Sequence, residues 1–242
     1  MQDNEASNRD FYDLLWSDTD LIRPDRFNTW HLISGLLPLA PERLEIGPGL
    51  RPRLPLAGSS FIDISPFVIE QLAAHGGIAV TGSITDLPFS AGKLDLVCAF
   101  DVVEHTDDDR LVFSEVSRVL KEGGRFIFSV PLHARLWTTF DELVGHVRRY
   151  DPVDLLTLLA AHGLVLERSA VYGMQPTNPR LLELGLWWLK HRRQEALWWY
   201  NRVLMPLGML FQKRLKFVDG LIEATGVDEI VLVCRKGSTV AA

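Results

Sequence analysis

The sequence is poor in cysteine, in uninterrupted apolar runs and in net positive charge. Cys98 and Cys234 are the only cysteines among 242 residues. Two thiols make neither a disulfide framework nor a zinc-binding spacing, and both sit in apolar, strand-like runs, so a reducing compartment is expected. No stretch approaches the ~18 apolar residues that a bilayer-spanning helix needs, and the polar opening MQDNEASNRD lacks the apolar region of an export signal. A cytoplasmic protein is the expectation. With 25 basic against 31 acidic residues the formal charge is −6, a field that repels polyanions and argues against generic nucleic-acid binding. Apolar residues are plentiful: 47% of the chain is hydrophobic and 23% charged, which excludes disorder and supplies a sizeable core.

From Pro41 onward short apolar runs alternate with amphipathic stretches, the pattern of an α/β, doubly wound sheet covered on both faces. Strands are predicted at Arg43 to Ile46, Ser60 to Ile64, Ile78 to Thr81, Leu94 to Phe100, Arg125 to Val130, Leu164 to Tyr172 and Glu229 to Arg235. Helices are predicted from about Asp107 to Lys121, with Thr106 as N-cap and Gly123 beyond the end, and from Pro152 to Ala161. Three regions follow. Residues 1–40 form an N-terminal helical cap, 41–175 with 227–236 a core, and 176–226 a helical, Trp-rich insertion acting as a lid.

After the first predicted strand, Arg43-Leu-Glu-Ile-Gly-Pro-Gly-Leu-Arg places a Gly-x-Gly turn behind an acidic residue. Glycine there permits positive φ and a close approach of backbone to ligand. A dinucleotide fingerprint needs a third glycine opening a long helix, but Pro52 stands at that position and Pro55 follows. Instead, Glu45-x-Gly47-x-Gly49 and an acid closing the second strand, Asp63, resemble the class I S-adenosylmethionine-dependent methyltransferases. The blocks Gly82 to Phe89, Lys93 to Val97, Asp101-Val-Val-Glu-His105, Val119 to Gly124 and Gly145-His-Val-Arg-Arg-Tyr150 follow in the family's order. The resemblance implies a Rossmann-like, seven-stranded sheet with an antiparallel last strand, S-adenosylmethionine as cofactor, and methyl transfer to a small molecule.

By that resemblance Gly47 and Gly49 approach the methionine half of the cofactor, while Glu45 orients the turn and the cofactor's amino group. Asp63 accepts hydrogen bonds from the ribose hydroxyls, its bland alternative being an Asx-turn before Ser65. Ser83 stands where the family often has an acid for the adenine amino group, which shifts that contact to the main chain at Ile84. Asp86, ahead of Leu-Pro-Phe, reads as a turn residue, with a ligand contact as the alternative. Arg51 replaces a third glycine, and Pro48, Pro52 and Pro55 predict a braced loop where a helix usually follows.

Methyl transfer from a sulfonium needs in-line approach and exclusion of water, with a base only where the acceptor is protonated. Phe100 and Asp101 are expected on the cofactor side, Glu104 and His105 on the acceptor side. His105 is the candidate base, on the argument that imidazole titrates near neutrality and a carboxylate neighbour raises its basicity; the alternative is a brace for the next helix. His146 is the second candidate. Arg148, Arg149 and Tyr150 are candidate substrate contacts, the Arg pair suiting a carboxylate or phosphate, unless the loop is structural. Asp101, Glu104 and His105 offer hard-metal donors, but no metal is expected.

Four of the seven tryptophans, Trp187, Trp188, Trp198 and Trp199, fall in the insertion. Its segment from Arg180 to Phe217 carries eight basic residues against Glu183 and Glu195, a net of +6 that leaves −12 for the rest. Trp pairs beside a basic face mark a lid over a greasy substrate, a peripheral contact with the inner membrane surface, or aromatics buried against the sheet or a second subunit as in a homodimer. The Asn/Asp-Pro-Pro-aromatic block of base-amino methyltransferases is absent after Phe100, which speaks against a nucleic-acid substrate. A methyltransferase for a small, apolar or lipid-like acceptor is the leading expectation, and a non-catalytic binding module on the same fold the alternative.

Overall fold

Each apolar run predicted as a strand becomes one, and together they form a single sheet. The computed structural model describes residues 12, 14–16, 19–173 and 179–237, with backbone only for 179–182; the parts of the 1–40 and 176–226 regions that fall elsewhere lie outside the described residues. Strands β1 (Arg43–Ile46), β2 (Ser60–Asp63), β3 (Ile78–Thr81), β4 (Leu94–Ala99) and β5 (Leu120–Pro131) are parallel. β8 (Glu229–Lys236) runs antiparallel between β5 and β6 (Leu164–Tyr172). With a short β7 (Val218–Asp219), the spatial order is β3-β2-β1-β4-β5-β8-β6-β7. The eighth strand, beyond the seven expected, is the two-residue β7 (Val218–Asp219) on the edge of β6. Strand order reverses between β1 and β4, the switch point outside whose carboxyl ends such sheets bind ligands.

Alternating residues of each central strand serve two cores. Val97 and Ala99 face one cluster, with Val112, Phe113, Val116, Leu155 and Leu159 from the helices α3 (Asp109–Val119) and α5 (Pro152–Ala161). Leu96, Cys98 and Phe100 face the other, with Ile33 of α1 (Trp30–Leu36), Val68 and Leu72 of α2 (Pro66–Ala74), and also Leu15, Trp16 and Leu197. Burial on both faces explains why the strands read as continuous apolar runs. Both cysteines are free and buried here.

Local signals mostly act where they were read, with two displacements. α3 begins at Asp109 because a 3₁₀ turn, Val103–His105, precedes it, so its cap is Asp108, which accepts from the Leu111 amide at 3.0 Å, and not Thr106. The chain then passes straight into β5, with Gly123 (φ 76°) inside the strand's irregular start instead of ending a helix. A capping box of Thr138 and Asp141 opens α4 (Thr139–Val144), and Gly145 closes it at φ 80°. Between β6 and β7 lie α6 (Pro179–His191), α7 (Arg193–Trp199), a π-helical turn Tyr200–Leu204 and α8 (Met205–Leu210).

Candidate functional site

The glycine turn leaves β1 with Gly47 and Gly49 both at positive φ, 61° and 53°. Gly47 N–H donates to the Ile62 carbonyl at 2.7 Å, and Gly49 N–H to Asp63 Oδ2 at 3.2 Å, so the turn is bonded to the end of β2. Asp63 Oδ1 accepts from Ser65 N–H at 2.9 Å, which is the Asx-turn. A carboxylate offers about four acceptor positions, so an Asx-turn and a ligand contact are compatible. A Cβ on Gly47 would come within 2.6 Å of Val102 Cγ2, and one on Gly49 would collide with the Trp16 ring. The glycines therefore admit protein side chains as well as any ligand.

Residues 47–59 contain no helix. Glu45 explains how the loop holds: its buried carboxylate accepts from Arg53 N–H at 2.9 Å and Leu54 N–H at 2.7 Å. Burial pushes the Glu45 carboxyl up to about 7 despite those two donors. Both oxygens face the proline-rich loop, which makes Glu45 a brace for it. Ser83 Oγ lies 2.9 Å from Thr85 Oγ1 in a tight turn before Asp86, and Ile84 is buried beside it. Phe100 is buried against Tyr172, with ring centroids 5.9 Å apart.

At the end of β4, Asp101 is held at φ 56°, a strained conformation for a residue with a Cβ. Its N–H donates to Ser129 Oγ at 2.9 Å, and the Ser129 hydroxyl donates back to the carboxylate. Burial, then the charge of Asp101, pushes the Glu229 carboxyl well up.

Next to Asp101 stands a cluster of rings. Tyr12 OH lies 3.0 Å from His105 Nε2, while His105 Nδ1 lies 3.1 Å from the Gly145 carbonyl. A carbonyl only accepts, so Nδ1 carries the hydrogen and Nε2 accepts the tyrosine O–H. Desolvation, then the neighbouring His146, pushes His105 down to about 4. This corrects the expected near-neutral titration, because Glu104 turns to His146 and the cost of charging a buried ring dominates. The rings of His105 and His146 meet edge to face at 4.8 Å. His146 Nδ1 donates to Asp141 Oδ1 at 2.8 Å, and its Nε2 is 3.8 Å from Glu104 Oε1. Glu104 is buried with Oε2 unbonded. Donor atoms of Glu104, His105 and His146 lie within 4.8 Å of one another, a set able to hold a metal ion and different from the Asp101, Glu104, His105 set considered from sequence.

The proposed substrate arginines are engaged elsewhere. Arg149 is buried, donating to Asp141 Oδ1 at 2.8 Å and to Asp228 Oδ1 at 2.7 Å. Burial opposes ionisation of Asp141, but hydrogen bonds from His146, Arg149 and Thr138 outweigh it and hold this carboxyl well below the usual range. Arg148 ties down the approach to α3, donating to the Thr106 and Asp107 carbonyls and pairing with Asp109 at 2.6 Å. Tyr150 is buried in the core, its backbone bonded to Pro131 and His133. Folding thus gives Arg148 and Arg149 carboxylate partners within the chain, Asp109 for the first and Asp141 and Asp228 for the second, while Tyr150 packs in the core. Tyr12 was missed: 93 positions separate it from His105, and no motif marks it. A separate cavity of about 500 Å³, lined by Leu14, Gln194, Glu195, Leu197, Trp198, Trp199 and Asn201, lies between the N-terminal segment and the insertion.

Comparison with known proteins agrees with this geometry. Residues 47–128 match the family described as a methyltransferase domain. A malonyl-[acyl-carrier protein] O-methyltransferase of Herminiimonas arsenicoxydans is 38% identical over 90 residues, 36% of this chain and 34% of that protein. A sarcosine/dimethylglycine N-methyltransferase of Halorhodospira halochloris is 40% identical over 65 residues, 27% of this chain and 23% of that one. These matches thus span about a third or less of either relative's length. A crystal structure of a methyltransferase from Thermotoga maritima shares the fold with TM-score 0.60 at 16% identity, covering 96% of this chain and 95% of that one. The match to the methyltransferase-domain family runs from the glycine turn into β5, and the sheet around it has the fold seen in S-adenosylmethionine-dependent methyltransferases.

Proposed function

We propose that this protein transfers the methyl group of S-adenosylmethionine to a small acceptor of apolar or lipid-like character. The observation that carries the reading is the convergence at one sheet edge of the Gly47–Gly49 turn, Asp63 and the strained Asp101 with the Tyr12, His105, His146 cluster. The residues suit the cofactor: a glycine turn with two positive-φ positions for its methionine half, an acceptor-only Asp63 for ribose hydroxyls, Ser83 and Ile84 for the adenine, and the Phe100 ring as an apolar wall. Bound there, S-adenosylmethionine supplies an electrophilic methyl on a sulfonium.

The chain's own residues then position the acceptor and take its proton. His105 is neutral at pH 7, and its Nδ1–H, donated to Gly145, keeps the Nε2 lone pair directed at the Tyr12 hydroxyl. An acceptor O–H or N–H that replaces or extends that hydroxyl delivers its proton to Nε2. His146, oriented by Asp141, is the alternative base. The relatives named for O- and N-methylation leave both acceptor atoms within this scheme. Free, buried thiols fit a cytoplasmic setting.

Calorimetric titration with S-adenosylmethionine tests the cofactor site. Binding is expected, weakened at least tenfold by Asp63→Ala through loss of two charge-assisted hydrogen bonds. An unbound wild type, or unchanged affinity in the variant, defeats the reading. Release of S-adenosylhomocysteine in a metabolite screen then separates an enzyme from a binding module. Tight binding with no release for any acceptor would favour the module.

A further inference from the structure

The helical insertion has two faces, and the outer one is apolar. Leu197, Asn201 and Met205 recur every four residues, a spacing the π-helical turn maintains, and all three are buried. On a solvated helix the opposite face is polar. Here it carries Trp199, Val203, Leu204, Leu207, Leu210 and Phe211, with Leu210 70% and Phe211 75% exposed. Of the nineteen exposed large apolar side chains among the described residues, ten lie between Leu184 and Phe211. Isolated exposed hydrophobics are ordinary, whereas such a concentration marks a surface that something covers.

Charge identifies what covers it. Lys190, Arg192 and Arg193 precede the apolar stripe, Arg202 lies within it, and Lys213, Arg214 and Lys216 follow it, all exposed. A second copy meeting this face by two-fold symmetry would set one +6 segment against another. An anionic lipid surface meets both requirements, taking Trp and Leu side chains ~5–10 Å into the headgroup boundary while cations pair with headgroups above. No described helix is long and apolar enough to cross a membrane, so contact of this kind lies in the interface plane. We infer that the segment from Leu184 to Lys216 docks this protein on an anionic lipid surface. Because docking is read without turnover, its failure leaves the methyltransferase reading intact, and the reverse holds.

Sedimentation with vesicles of equal parts phosphatidylcholine and phosphatidylglycerol, against phosphatidylcholine alone, tests the inference. At low salt the protein is expected to pellet with the anionic vesicles only, with its tryptophan emission shifted to the blue. Leu207→Asp with Phe211→Asp abolishes pelleting. Lys213→Ala with Arg214→Ala weakens it about 30-fold, from roughly one unit of surface attraction per cation. Both pairs alter exposed side chains, and circular dichroism matching the wild type confirms their fold. Should the aspartate pair misfold, the alanine pair and added salt carry the same test. Wild-type protein left in the supernatant, binding insensitive to either pair, or a dimer in light scattering that the aspartate pair dissociates would each overturn docking on lipid, the last assigning the face to a second copy.

Discussion

At the scale of single residues, the hydrogen-bond direction at His105 sets the chemistry available. Tyr12 donates to Nε2, a bond that only the unprotonated nitrogen can accept and that therefore favours the neutral ring. Tyr12→Phe removes that donor, so protonation of His105 becomes easier and the acid limb of the pH profile of kcat/KM moves to higher pH. Turnover is expected to fall by up to about 100-fold, the low end of what positioned proton transfer contributes. An unshifted acid limb would separate Tyr12 from the base. Glu45 yields a second expectation. Its folded value of about 7 lies above the ordinary carboxyl value of 4.5, so the neutral carboxyl favours folding below pH 4.5 and that contribution is lost as pH rises through 7. Glu45→Gln removes this dependence. Relative to wild type, the variant should gain up to about 3 kcal/mol of unfolding free energy between pH 5 and pH 8, measured by urea titration. The placement of Gly47, Gly49, Asp63 and His105 at the carboxyl edge of the sheet was legible in the sequence because each ends or closely follows a strand within a recognisable block. Tyr12 was not, since nothing local marks a residue whose partner is 93 positions away.

At the scale of elements, the segment from α4 to Tyr150 shows how one buried carboxylate can govern several features. Asp141 completes the capping box of α4, accepts from His146 Nδ1 and pairs with Arg149. The Arg149 and Asp141 side chains are 1% and 0% exposed. Removing one partner of such a pair strands the other charge, at a cost of about 3–5 kcal/mol. Arg149→Ala is therefore expected to lower stability by that amount in denaturant unfolding, and to disturb His146 as well. A variant of wild-type stability and reduced acceptor affinity would instead restore Arg149 to substrate binding. Sequence patterns located the strands because burial on both sheet faces leaves apolar runs, and Pro152 and Gly163 bound α5 through rules confined to one helix. The start of α3 and the roles of Arg148 and Arg149 escaped because they depend on a preceding 3₁₀ turn and on Asp109, Asp141 and Asp228, which only the fold brings near.

At the scale of the whole molecule, Arg51 joins three segments that the sequence keeps far apart. Its guanidinium lies 5.0 Å from the Trp16 ring centroid and 5.1 Å from that of Tyr200, and its Nη2 donates to Asn201 Oδ1 at 2.8 Å. Asn201 Nδ2 donates in turn to the Leu15 carbonyl at 2.6 Å. The residue read as a departure from the family's third glycine is thus the link from the glycine turn to the N-terminal segment and the insertion. Trp16 rests on Gly49, so whatever fixes Trp16 also shapes the turn beneath it. Arg51→Ala removes two cation–π contacts, each worth about 0.5–2 kcal/mol, and two hydrogen bonds, to Asn201 and the Tyr200 hydroxyl. Because the sheet's own contacts stay intact, the loss should fall on local opening more than on global unfolding. Hydrogen exchange is expected to quicken at residues 14–16 and 196–205 while the amides of β4 and β5 keep their protection, and S-adenosylmethionine affinity should drop about tenfold as the turn loses its cover. Uniformly faster exchange across the sheet would mean that Arg51 supports the fold as a whole. Unchanged exchange with unchanged affinity would mean that the two segments hold Trp16 in place without it.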